Sequence, residues 1–172
     1  MTSTWGEWRR RHPSTTVLSL ATGHSRDYAE GAAYREYFAT DRIMFPVPAE
    51  DARLRNKQEV LVPRFGKPNE RPLAIGSDFL RRHPVWHGRF GGRDFVVLTD
   101  KSGAHRIYGL AEGKRIASWN GDRKVIDSSG QAWMLSETAL TGKGLTAPRL
   151  PAHNAFWFGW RAAHPDTDLV AG

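Results

Sequence analysis

From Glu59 onward the chain alternates short apolar runs with polar turn residues. The runs are Val60-Leu61-Val62, Leu73-Ala74-Ile75, Phe95-Val96-Val97-Leu98, His105-Arg106-Ile107-Tyr108, Arg115-Ile116-Ala117-Ser118-Trp119, Lys124-Val125-Ile126 and Trp133-Met134-Leu135. Gly-, Asn- and Ser-bearing turn signals separate them at intervals of roughly 8–12 residues, the pattern of antiparallel strands. The spacing predicts a mainly β (α+β) fold with a sandwich- or barrel-like antiparallel body over residues 59–150. Asn120-Gly121 is the clearest two-residue hairpin signal.

The ends read differently. Trp5-Gly6-Glu7-Trp8-Arg9-Arg10-Arg11-His12-Pro13-Ser14-Thr15 near the start returns as Trp157-Phe158-Gly159-Trp160-Arg161-Ala162-Ala163-His164-Pro165-Asp166-Thr167. Both Trp, the Arg, the His, the Pro and the Thr recur at one offset of 152 residues. Such an echo is an internal repeat confined to the two ends, and it speaks about architecture before chemistry. Each copy predicts a short helix stopped by His-Pro, because proline disfavours helical geometry in the residue before it. Thr4 and Glu7 fit a capping box for the first helix, and Asn154 is the expected cap of the last. Phe79-Leu80-Arg81-Arg82-His83-Pro84 predicts a third helix with the same ending, capped by Ser77 or Asp78.

Between the first helix and the body, Thr16-Val17-Leu18-Ser19-Leu20 predicts a buried strand from its β-branched and apolar content. Residues 29–39 have the composition for a helical turn or two. Residues 43–48 are apolar but broken by Pro46 and Pro48, which predicts an edge or extended segment. The whole chain reads as one domain: residues 1–22 echo the C-terminal end, 23–58 form a long arm, 59–150 the β-rich body and 151–172 a helical end. An arm of that length is expected to wrap the body or to carry function.

Composition removes several classes of chemistry. The 172 residues include no cysteine, which excludes disulfides, thiolate metal sites and Cys nucleophiles. No apolar run approaches the ~20 residues of a membrane span, and no signal-peptide core is apparent, so the chain as it stands reads as cytoplasmic. The net charge is +7, with Arg outnumbering Lys 19 to 6. Basic residues are scattered, with Arg9, Arg10 and Arg11 as the single run. Without a concentrated stripe or a binding motif, this argues against a dedicated nucleic-acid surface and leaves weak electrostatic binding of polyanions as a minor alternative.

Candidate chemistry centres on the histidines. His12, His83 and His164 each precede proline at a helix end, which is a structural position. Trp5, Trp8, Trp157 and Trp160 are expected as docking or core residues beside His12 and His164. The sequence Thr22-Gly23-His24-Ser25-Arg26-Asp27-Tyr28 is the densest polar stretch. An Arg26–Asp27 pair with Tyr28 anchored in the core would pin the arm to the body. Alternatively His24, Arg26, Asp27 and Tyr28, with His87, would hold an anionic ligand, since guanidinium binds carboxylate or phosphate in a fork. His24, His87, His105 and His153 are the residues available for a transition metal, although no His-x-His or helical His pair demands one. A Gly-x-Ser-x-Gly elbow and a phosphate loop are both absent from the sequence, so no cofactor is predicted and no catalytic residue is assigned.

Several phrases together resemble the bacterial and archaeal domain-of-unknown-function family three-one-seven-nine, and its C-terminal half in particular. They are Thr4-Trp5-Gly6-Glu7-Trp8-Arg9 through His12-Pro13, Thr22 through Tyr28, Met44-Phe45-Pro46-Val47 with Arg53-Leu54 and Lys57, and Asn154 through Thr167. The resemblance implies a parent about twice this length, in which a Trp-x-x-Trp…His-Pro phrase closes each half, and often an exported setting. The parent's Cys-containing first half is absent here, and His87-Gly88 stands where the family tends to carry Asn-Asp. No activity comes with the resemblance. The expected function is a β-rich binding or assembly module without evident catalytic machinery, with a homodimer or a complementary half-domain as partner. A histidine-based metalloprotein or metal-dependent enzyme is the alternative.

Overall fold

The apolar runs of the chain's middle become the strands of three sheets in the computed structural model, which describes residues 3–48 and 51–172. In chain order the elements begin with α1 (Trp5–Arg11), α2 (Arg35–Ala39), β1 (Glu59–Pro63), β2 (Leu73–Gly76) and α3 (Ser77–Arg82). They continue with β3 (Val85–Phe90), β4 (Arg93–Thr99), β5 (His105–Leu110), β6 (Ile116–Trp119), β7 (Lys124–Asp127) and β8 (Ala132–Leu135). The last are β9 (Ala139–Gly142), β10 (Leu145–Pro148), β11 (Ala152–Phe156), α4 (Trp157–Ala163) and β12 (Asp168–Val170). The sheets run β11-β1-β2-β12, β3-β4-β5 and β10-β9-β8-β7-β6. All pairings are antiparallel except β12 with β2, where Asp168, Leu169 and Val170 sit opposite Leu73, Ala74 and Ile75 in parallel.

Alternation along the strands sets the layers, since successive side chains point to opposite faces. In β4, Val96 and Leu98 join Tyr108, Val125, Trp133 and Leu140 in one core against the five-stranded sheet. Phe95 and Val97 turn the other way and pack with Leu61, Ile75, Leu80 and Ile107. The three-stranded sheet is thus buried on both faces, which explains why the Phe95-Val96-Val97-Leu98 run is continuously apolar. In β1, Leu61 faces this second core, while Val60 and Val62 point outward and are covered by Trp157 and Trp160 of α4. The body is a stack of open sheets closed at one end by a helix, with no closed barrel among the described residues.

Several local expectations need correction. Residues 16–20 form no strand and lie exposed, with Leu18 at 92%. Asn154 is a β11 residue, and α4 starts from Phe156 without a side-chain cap. Neither Ser77 nor Asp78 caps α3, whose N-cap is Gly76. Two-residue hairpin turns occur at Gly91-Gly92, joining Phe90 to Arg93, and at Lys143-Gly144, joining Gly142 to Leu145, all four residues at positive φ. Asn120-Gly121 instead opens a four-residue connection between Trp119 and Lys124. His87 and Gly88 sit inside β3. Gly88 has no room for a Cβ because the Phe95 and Trp86 rings close over it.

Candidate docking site at the first helix

The repeated phrase folds the same way twice. Thr4 caps α1, its Oγ1 accepting the Glu7 N–H at 3.3 Å. His12 ends the helix at φ −130°, ψ 69°, and His164 ends α4 at φ −135°, ψ 73°. Each imidazole lies on the indole four residues back, with ring centroids 4.1 Å apart for Trp8–His12 and 4.0 Å for Trp160–His164. Each of those indoles donates its N–H to the threonine seven residues on, Trp8 to Thr15 at 3.0 Å and Trp160 to Thr167 at 2.9 Å. His83 ends α3 in the same backbone conformation, stacked on Phe79 at 4.2 Å. The residues His12, Trp8, His164 and Trp160 are therefore local packing devices that stop a helix and turn the chain.

The two copies nevertheless bury opposite faces. In α4, Trp157 is fully buried and Trp160 is 6% exposed, while Gly159 on the far side faces solvent. In α1, the residue at the Gly159 position is Glu7, and it is the buried one, at 5% exposure. Trp5 and Trp8 point outward, 48% and 36% exposed. This inverts the ordinary rule that a surface helix turns its apolar stripe to the core.

The cause is an ion network under α1. Arg106, fully buried in β5, donates to Asp100 at 2.8 Å and to Glu137 at 2.9 Å, and its remaining amino group lies 3.5 Å from Glu7. Arg11 pairs with Glu7 on the same helix and reaches Glu137 at 3.9 Å, and Arg149 pairs with Glu137 at 3.1 Å. Three carboxylates thus face three guanidiniums. Burial by itself would raise the Asp100 carboxyl's pKa, but donors from Ser102 and Arg106 hold it below the usual range. For Glu137 the same opposition is won by Arg106 and Arg149. A buried cation needs such partners to be tolerated, so Glu7 ties α1 to the body by its polar side.

Beside this network lies a cavity of about 730 Å³ between α1, the turn at residues 100–104 and the turn at residues 120–123, lined by Arg10, Arg11, Lys101 and Arg123 among others. From α1 the chain runs through residues 13–48 largely over the surface. The arm is fastened near its end. Lys57 donates to the Tyr37 and Thr40 carbonyls and lies 3.7 Å from the Tyr37 ring centroid, and Asp41 accepts the Asn56 and Lys57 N–H groups at 2.9 and 3.1 Å. Of twelve large apolar side chains that stand exposed among the described residues, ten fall between Trp5 and Phe45. They are spread along this one segment of the chain, interleaved with charged residues such as Arg26, Arg35 and Arg42.

The predicted ligand residues are not gathered together. His24 donates its backbone N–H to Thr22 Oγ1 at 3.3 Å, and Arg26 is exposed. Asp27 accepts the Ala29 N–H at 2.9 Å and borders an open cavity of about 790 Å³ with Tyr34, Arg35 and Arg42. Tyr28 is not anchored in the core: it is exposed and shares a hydrogen bond with Thr22 at 2.9 Å. Asp41 and Lys57 fold the arm on itself, and Asp51 ties it to α4 by accepting from Arg161 at 2.8 Å and from the Trp157 indole at 3.3 Å. His87 lies under β6, its Nε2 accepting the Ile116 N–H at 3.0 Å; burial, then the nearby Arg115, lowers its pKa. His105 is buried against Thr99 at 2.9 Å, and burial followed by the Arg81 charge lowers its pKa to about 4. His153 lies exposed on β11 with its ring 5.8 Å from that of Trp160; burial and then Arg64 lower its pKa. No group of three or more His, Cys, Asp or Glu placed to hold a metal ion occurs among the described residues.

Sequence reasoning missed Asp100, Arg106 and Glu137 altogether and read Glu7 only as a capping residue. One signal was available. Asp100-Lys101-Ser102-Gly103 and Asp127-Ser128-Ser129-Gly130 share a pattern, and both aspartates fold back alike. Asp100 Oδ1 accepts from Ser102 and the Ala104 N–H, and Asp127 Oδ1 from Ser129 and the Gln131 N–H. The second oxygen of each meets the residue six positions on, Arg106 in one case and Trp133 at 3.0 Å in the other.

A sequence model of the family described as "Protein of unknown function (DUF3179)" matches residues 1–167. No curated protein and no solved structure matches the chain.

Proposed function

The chain belongs to the DUF3179 family, and we propose that it acts as a binding or assembly module whose docking surface is the tryptophan face of α1 with the apolar arm after it. One observation carries this reading. The same phrase buries Trp157 and Trp160 in α4 but turns Trp5 and Trp8 outward in α1, where Glu7 fixes the helix by its other side. A helix held by a buried ion network is not a frayed end. Its exposed indoles are presented in a set orientation, and large rigid aromatics of this sort supply most of the energy at protein interfaces.

The reading is tested by sedimentation of the purified chain over a concentration series. The exposed apolar side chains between Trp5 and Phe45 should drive weak self-association at high concentration when no partner is present. Trp5→Ser/Trp8→Ser should abolish that association with only a small fall in thermal stability, from the lost Trp8–His12 stack and the Trp8–Thr15 bond. A chain that stays monomeric at every concentration, or whose association ignores the double substitution, overturns the reading.

A further inference from the structure

We infer that the cavity beside α1 binds a small phosphorylated ligand with a hydroxylated body, of the polyol phosphate or sugar phosphate class. The inference does not depend on the docking reading. Gly6, Glu7, Arg10 and Arg11 line the cavity, a set at helical spacing on the side of α1 away from Trp5 and Trp8, and neither indole is part of its wall.

Two of the acids in this wall are already committed. Glu7 accepts the Ser3 hydroxyl at 2.6 Å and pairs with Arg11 and Arg106. Asp100 accepts the Ser102 hydroxyl at 2.6 Å, the Ser102 and Ala104 N–H groups and the Arg106 guanidinium. Both carboxylates are buried, so neither presents a free charge to the cavity. The cations differ. Arg10 comes from α1, Lys101 from the turn after β4 and Arg123 from the turn after β6, and all three line the cavity and are exposed. Among the described residues none of these three side chains makes a hydrogen bond or an ion pair. Asp122 is the one exposed acid in the wall to offset them, and its Oδ1 accepts the Arg123 backbone N–H at 2.7 Å. Beneath them Arg106 adds a fully buried cation whose Nη2 has no hydrogen-bond partner. Positive charge without partners therefore gathers at one concavity fed by three elements.

That charge selects the ligand. A phosphate monoester carries about −1.5 to −2 at neutral pH and offers strong acceptor oxygens, and Arg10 and Arg123 bring planar forks that match it. The volume of about 730 Å³ exceeds what a bare phosphate fills and falls within the roughly 300–1,000 Å³ of small-molecule sites. The remaining wall suits hydroxyl groups. Thr4 Oγ1 accepts from Glu7 and keeps its own proton to donate, and Asn120 Oδ1 accepts the Asp122 N–H while its amide nitrogen has no partner among the described residues. No aliphatic or aromatic side chain lines the cavity among the described residues, so an apolar ligand body would gain little there. A nucleic acid fits less well, because the free cations gather at a concavity and not along a stripe.

Isothermal titration of the full chain tests the inference with glycerol 3-phosphate, ribose 5-phosphate and glucose 6-phosphate. Inorganic phosphate, glucose and a short DNA duplex serve as comparisons. At least one ester should bind, more tightly than inorganic phosphate, and glucose should not bind. Arg10→Gln/Arg123→Gln removes two free cations outside the ion network, so it should keep the parent's thermal transition. It should weaken that ester at least about tenfold, the worth of one hydrogen bond to a charged group. Arg9→Gln removes an exposed α1 cation that does not line the cavity and should leave the affinity unchanged. Hydrogen exchange should slow in α1 and in residues 120–123 when the ester is bound, since the ligand joins them. Binding of none of the three esters overturns the inference, as does inorganic phosphate bound as tightly as the best ester. An equal loss in Arg9→Gln would reduce the effect to general charge and overturn it too. Duplex DNA bound without any ester, and weakened by the double substitution, would assign these cations to a polyanion instead.

Discussion

Identical residues carry different free energies according to what covers them. Trp157 is fully enclosed by Val60, Val62 and Ala74, so Trp157→Ala should cost about 3–5 kcal/mol in chemical denaturation. Trp5, its counterpart in the first phrase, is half exposed, and Trp5→Ala should change the stability of the dilute chain by no more than about 1 kcal/mol. Equal costs at the two positions would mean that α1 is buried as α4 is. His105 supplies a second test at this scale. Its buried imidazole, facing Thr99, Arg81, Asp100 and Arg106, protonates only near pH 4, whereas in the unfolded chain it protonates near 6.5. The unfolded state therefore binds the extra proton first as pH falls. The stabilisation is complete above about pH 6.5 and is lost between there and about pH 4, a change of about 3 kcal/mol at most. The depressed carboxylates Asp100 and Glu137 add a further loss below their ordinary range. In His105→Gln the slope between pH 6.5 and 4 should flatten, and an unchanged slope would assign it to other groups.

At the scale of elements, α1 is held by charge where α4 is held by apolar contact. Glu7→Ala removes the acidic α1 member of the network and leaves Arg11 beside Glu137 and Arg106 with Asp100 and Glu137. A buried donor deprived of one partner should cost about 1–3 kcal/mol, and hydrogen exchange should rise in α1 while α4 stays protected. Unchanged exchange in α1 would show that Glu7 does not fasten it. Legibility in the sequence followed the same division. Runs such as Phe95-Val96-Val97-Leu98 announced their strands because both faces are buried. The ends of α1, α3 and α4 were legible because proline and the preceding histidine set the backbone locally. β9, β10 and β11 were not, since Ala139-Leu140-Thr141-Gly142 and Ala152-His153-Asn154-Ala155-Phe156 carry no period of their own and are strands by virtue of their neighbours. Residues 16–20 failed in the opposite sense: their content favours a strand, but a strand requires a sheet to join.

Across the whole molecule, the mainly β class was readable from turn spacing, while the stacking of three sheets and the parallel closing pair were not, because both depend on contacts between distant segments. The candidate site was readable only in part. Trp5 and Trp8 stood out by their recurrence at 157 and 160, but that they face outward depends on Glu7 meeting an arginine ninety-nine positions away. The molecule that results has one copy of the phrase packed on a sheet and the other with its tryptophans turned outward beside an arm with many exposed apolar side chains. This asymmetry is what any function of the chain through partner binding must rest on.

The most direct test is fluorine NMR of protein labelled with 5-fluorotryptophan, each resonance assigned by single substitution, in the presence of a soluble paramagnetic probe. In the dilute chain, Trp5 and Trp8 should broaden strongly while Trp157 and Trp160 stay sharp, and at high concentration the first pair should become protected. Trp5 and Trp8 as sheltered as Trp157 and Trp160 in the dilute monomer would contradict the account.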